Sequence, residues 1–120
     1  ASIGTLTHRY LEIIAQQSIE KWNAERISSL SGAMQYWFNQ QGYSVAESVE
    51  AANQVQKLLT TALASEDGRW LLQVHEQAVA EHAVTMFDNE VANTYVVDRT
   101  FIVQDIHGNK VRWIIDYKSV

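Results

Sequence analysis

Near Gln77 the hydrophobic repeat of this chain changes from three or four residues to two, and no proline interrupts either regime. A chain with that switch has to build helices first and strands afterwards, because each period puts apolar side chains on one face of only one kind of element. Ile3, Leu6, Tyr10, Ile13 and Ile14 predict a first helix over residues 3 to about 22. Met34, Trp37 and Phe38 predict a second over 30–41, ended by Gly42 in a left-handed conformation. Ser44-Val45-Ala46-Glu47 has the form of a capping box and predicts a third helix running to about Ala64. Ser65 to Gly68 reads as a turn, with a short helical piece from Trp70. The β regime predicts strands over 78–85, 94–105 and 110–118, separated by Asp88-Asn89 and His107-Gly108-Asn109. The expected class is α+β, N-terminal helices packed on a mostly antiparallel three-stranded sheet.

The register of the last hairpin decides which chemistry shares a face, because a shift of one residue would exchange the two faces of a strand. A three-residue loop at 107–109 sets Thr100 opposite Asp116 and Asp98 opposite Lys118. It gathers Tyr95, Val97, Arg99, Phe101, Val103, Val111, Trp113, Ile115 and Tyr117 on one nearly apolar face. Asp98, Thr100, Ile102, Gln104, Arg112, Ile114, Asp116 and Lys118 share the other. A two-residue loop would mix polar and apolar on both, so burial favours the longer loop or a compensating bulge. Two converging carboxylates repel and call for a cation between them, and oxygen ligands without thiolates suit Mg²⁺ or Mn²⁺. Solvated strand residues would give the same pattern.

The chain has 120 residues, no cysteine and a net charge of −5, which removes disulfides and thiolate metal sites and fits a reducing, cytoplasmic setting. An acidic chain is an unusual nucleic-acid binder, but the charge is uneven. Residues 1–97 hold five Lys and Arg against eleven Asp and Glu, whereas residues 98–120 hold four against three. No apolar run approaches membrane-spanning length, and no signal-peptide pattern opens the chain. No membrane partner is expected. Trp22, Trp37, Trp70 and Trp113 read mostly as core, and His75, His82 and His107 as surface or turn residues.

Ile114-Ile115-Asp116-Tyr117-Lys118-Ser119 resembles the "iiDYKT" strand of the PD-(D/E)xK nuclease superfamily. More narrowly, the resemblance is to the nuclease domain at the C-terminus of the RecB and AddA helicase-nucleases. Gly4-Thr5-Leu6-Thr7-His8-Arg9-Tyr10-Leu11-Glu12 is similar to that family's opening helix, and Tyr95-Val96-Val97-Asp98-Arg99 to its "GxiDrv" strand, with Tyr95 in place of Gly. Glu81 stands where the family has a Glu before the sheet. The family continues past this strand into a further helix. The resemblance therefore implies a partial, restriction-endonuclease-like domain over 1–120, helical in 1–75 and β in 76–120, belonging to a longer protein.

What the resemblance implies about chemistry is specific. His8, Asp98 and Asp116 would bind Mg²⁺ or Mn²⁺, with the Tyr117 carbonyl as a further ligand, and Lys118 would be the active-site lysine. Glu81 and Glu12 would be accessory. The activity would be exodeoxyribonuclease hydrolysis of DNA in recombination or repair, beside a helicase portion of the same polypeptide and a second helicase-nuclease subunit. Two readings compete with it: a degenerate nuclease fold kept for protein or DNA binding, and a helical interaction module with an incidental hairpin.

Overall fold

The computed structural model describes residues 2–117, with the backbone alone for 84–88 and 93–95. In chain order the elements are α1 (Ser2–Gln17), a 3₁₀ turn (Ile19–Lys21), α2 (Ala24–Ser28), α3 (Ser31–Gln40), α4 (Val45–Ala64), α5 (Glu66–Leu72), β1 (Glu76–Asp88), β2 (Val91–Gln104) and β3 (Lys110–Ile115). The class is α+β, as the change of period requires. Two compact units divide the described chain, one up to Gln73 and one from Val74.

In the helical unit α4 is the hub, touching α1, α2, α3 and α5. Ser48, Ala51, Ala52, Val55, Leu59 and Leu63 recur at helical spacing and are all buried, so one stripe of α4 meets all its neighbours. The small Ser48, Ala51 and Ala52 leave room for close approach, and the larger Val55 and Leu59 fill the interior. Phe38 is fully buried, with Trp37 edge-on at 5.1 Å and Tyr43 tilted at 5.0 Å between ring centroids. The buried stripe of α1 is Gly4, Thr7, Leu11 and Ile14 with Leu6 and Ala15, while Ile3, Tyr10 and Ile13 are half-buried at its margin.

The predicted helix over residues 3–22 divides at Ser18, whose φ of 88° interrupts the ladder. Asn23 then starts α2, its side chain accepting from the Arg26 N–H at 2.8 Å. Arg26 braces this joint, stacking over Trp22 at 3.9 Å and donating to the Lys21 carbonyl and Gln17 Oε1. The expected turn at 65–68 is instead the first turn of α5, with Ser65 Oγ accepting from the Gly68 N–H. Gly68 is dictated by space, since a Cβ there would fall on the Ala62 carbonyl. Gly42 does take the left-handed conformation that ends α3, at φ 94°.

The capping box forms at α4: Ser44 Oγ accepts from the Glu47 N–H, and Glu47 Oε1 accepts from the Ser44 N–H. These hydrogen bonds, the backbone one first, hold the Glu47 carboxyl below its ordinary range. A depressed carboxylate adds stability above its unfolded pKa, and that stability is lost as pH falls through the folded value. Thermal unfolding should therefore come earlier as pH drops below about 4.3. Ser44→Ala should lower stability by about 1 kcal/mol at neutral pH and flatten this part of the pH profile. A Ser44→Ala profile parallel to the wild type would remove the capping box as its cause.

The sheet unit is an antiparallel meander in the order β1-β2-β3. Asp88 pairs with Val91, so Asn89-Glu90 is a two-residue loop with φ 49° and 65°, the pattern of a type I′ turn. Glutamate is a poor occupant of a left-handed position, and Glu90→Gly should stabilise the sheet unit by roughly 1 kcal/mol. Denaturant unfolding followed by tryptophan fluorescence reads this out, and an unchanged or lower midpoint would count against the turn.

The β2–β3 pairing corrects the predicted register by two residues. Arg99 pairs with Ile115, Thr100 with Ile114 and Gln104 with Lys110. The cause is the loop: Asp105 carries its own turn, its Oδ1 accepting from the N–H groups of His107 and Asn109, both at 2.9 Å. Asp105 N–H bonds the Asn109 carbonyl, and Gly108 takes φ 82°, so the three loop residues are 106–108 rather than 107–109. A shift of two keeps every side chain on its face. Val97, Arg99 and Phe101 are buried on the odd-numbered face, with His75 stacked on Phe101 at 3.9 Å. Trp113 is 44% exposed, against the expectation that it is core, because it lies on the edge strand β3. Of the four tryptophans only Trp22 is buried.

Candidate functional site

The corrected register changes which groups meet. Its last pair is Arg99–Ile115, where β3 ends; carried one residue further, it would bring Asp116 level with Asp98. Directly opposed residues on neighbouring strands have Cβ atoms roughly 5 Å apart, within reach of one cation. The Tyr117 N–H donates to Asp98 Oδ2 at 2.7 Å, which ties the chain after β3 to β2 and orients the Asp98 carboxylate. Asp98 is half-buried and Asp116 exposed.

One further acid lies in the same row. Ala80 pairs with Arg99 and His82 with Val97, which puts the Glu81 backbone level with Asp98. Glu81 has φ 47°, a local kink in β1. Glu12 and His8 sit on α1 in the helical unit, both half-buried, and their part in chemistry remains an implication of the resemblance. Lys118 lies outside the described residues.

The donor set at Asp98 and Asp116 suits a hard divalent ion. Mg²⁺ keeps several waters and takes one or two protein carboxylates, which is what Asp98 and Asp116 would supply in a chain without thiols. Among the described residues no three His, Asp or Glu side chains gather as a ligand group, so any such site here rests on this carboxylate pair.

On the same even-numbered face, Thr100 is fully buried, its hydroxyl donating to the Trp113 carbonyl at 2.8 Å and accepting from Arg112 Nη1 at 3.2 Å. Arg112 also donates through Nη2 to Gln77 Oε1 at 2.9 Å. Beside it Lys110 and Glu76 form an exposed ion pair at 2.8 Å, worth little by itself. Gln77, Val79, His82, Ala83 and Arg112 line a groove of about 420 Å³. Sequence reasoning assigned Arg112 to this face but gave neither it nor His82 a role. The available signal was the alternation of Thr100, Ile102 and Arg112 with the apolar residues of β2 and β3.

Compared with known proteins, the chain matches no family model, and no curated protein or solved structure is similar enough to it to lend a family or a function. No described helix is long and apolar enough to cross a membrane.

Proposed function

We propose that this chain carries the core of a divalent-metal-dependent DNA nuclease of the PD-(D/E)xK kind, acting in the cytoplasm on strands delivered by a helicase portion of the same protein or a partner subunit. The observation that carries the reading is the return of the chain after β3 to Asp98, where the Tyr117 N–H donates to the Asp98 carboxylate; the β2–β3 register, carried one residue past its last pair, Arg99–Ile115, would bring Asp116 level with Asp98. The helix-then-meander order and the Asp-Tyr-Lys triplet of the resemblance support it.

Asp98 and Asp116 would hold Mg²⁺ or Mn²⁺ between them, their mutual repulsion relieved by the ion. When bound, the ion supplies Lewis acidity to the phosphodiester and acidity to the attacking water. The Tyr117 N–H keeps one oxygen of Asp98 engaged with the protein, so that the carboxylate presents a fixed edge. In the family pattern Lys118 stabilises the charge that develops on the phosphoryl oxygens.

Calorimetric titration of the folded chain with Mn²⁺, beside Asp116→Ala, tests the reading. The expected result is one saturable site that the substitution abolishes. A folded wild type that takes up no Mn²⁺ would instead favour a nuclease fold retained for binding.

A further inference from the structure

The groove beside Arg112 is built differently from an ordinary charged surface. Arg112 is held at both ends of its guanidinium by neutral oxygens, Thr100 Oγ1 and Gln77 Oε1, and among the described residues it has no carboxylate partner. Its positive charge is thus oriented without being neutralised. The oxygen that steers it belongs to a backbone outlier: Gln77 has φ 51°, and the β1–β2 register slips between Glu76 and Val79. Such bulges re-aim side chains, and this one puts the Gln77 amide on Arg112. A second left-handed residue, Glu81 at φ 47°, marks the other end of the groove, where His82 joins the lining.

Arg112 and Ile114 share one face of β3, and Asp116 follows the strand's last residue, Ile115. Four residues of extended chain put Asp116 at most about 13 Å from Arg112, and one strand of a duplex advances about 3.4 Å per nucleotide. A strand cleaved at the carboxylate pair would therefore meet Arg112 a few nucleotides away, with exposed Ile114 and Val79 offering apolar surface beside it. A planar cation presenting N–H groups into an open groove is suited to a phosphodiester.

We propose that the Arg112 groove is a phosphate-binding subsite for the nucleic-acid strand, with Arg112 as a substrate-binding residue positioned by Gln77 and Thr100. The identity of the anion rests on the nuclease reading above. The subsite compensates, at one point on the strand's path, for the repulsion that a chain of net charge −5 presents to DNA.

The test is fluorescence anisotropy of a labelled twelve-nucleotide single strand with the 120-residue chain, titrated with KCl in the presence of Ca²⁺. Arg112→Gln should weaken binding by about tenfold or more, as expected for one charge-assisted contact. It should also reduce the slope of log K against log salt by about 0.7, which a merely structural role for Arg112 would leave unchanged. Arg112→Lys should keep the slope, and Gln77→Ala should keep it with a smaller loss of affinity. Wild-type affinity and slope in a folded Arg112→Gln chain would overturn the subsite, as would failure of the wild type to bind. The two proposals fail separately. Arg112-dependent binding of DNA left intact in Mg²⁺ and Mn²⁺ would uphold the groove and count against hydrolysis, whereas cleavage indifferent to Arg112 would do the reverse.

Discussion

Asp98→Asn should weaken Mn²⁺ binding by more than about a hundredfold, since losing even an outer partner of a metal ligand costs 10- to 100-fold, and should leave thermal unfolding almost unchanged. The two halves of this result separate the two tasks of the side chain. The amide oxygen of asparagine still accepts from the Tyr117 N–H, so the bond now at 2.7 Å survives. The negative charge that a cation requires does not. Asp98→Ala removes both and should add roughly 1 kcal/mol of destabilisation to the loss of metal. Calorimetry with Mn²⁺ on the three chains, beside their melting curves, resolves the effects. Near wild-type affinity in Asp98→Asn would leave Asp98 as a structural acceptor only and move the metal elsewhere.

Phe38→Ala should destabilise the helical unit by about 3–5 kcal/mol. The ring is fully buried between Trp37 and Tyr43, and the neighbouring aromatics are too rigid to close over the space it leaves. Against a total of about 5–15 kcal/mol for a domain, that is a loss of at least a fifth. Tyr36, two residues earlier on the same helix and 68% exposed, provides the contrast: Tyr36→Ala should stay within about 0.5 kcal/mol. Helical circular dichroism against temperature measures both. Equal melting temperatures for the two variants would mean that Phe38 is not in a packed interior.

Helix α4 was legible in the sequence because its signals agree: a capping box at Ser44, buried positions at helical spacing and a stop near Ala64. The faces of β2 and β3 were legible for a different reason. Parity survives a slip of two, so Asp98, Thr100 and Arg112 share a face under the wrong register as under the right one, whereas Asp116, expected within the last strand, lies beyond its end at Ile115. The slip itself turned on Asp105, whose side chain closes the loop one residue earlier than a count from Gly108 suggests. Short α2 was missed because five residues carry almost no periodicity, although Asn23 three residues before Arg26 is a start signal. Trp113 misled because parity says which face a residue occupies, not whether anything covers it. Arg112 went unassigned because its partners, Gln77 and Thr100, lie 35 and 12 residues away in sequence.

The left-handed backbone at Gln77 has an outcome for anyone engineering this chain. On conformational grounds alone the stabilising replacement is glycine, which relieves a strain on the order of 1 kcal/mol. That same change deletes Oε1, the atom that holds Arg112 Nη2. A screen that rewards only heat resistance would drift toward glycine at this position, and its winners would be sturdier proteins with a guanidinium free to swing. Thermostability and the aim of Arg112 therefore pull against each other at a single residue, and selecting for both at once should leave glutamine where it is.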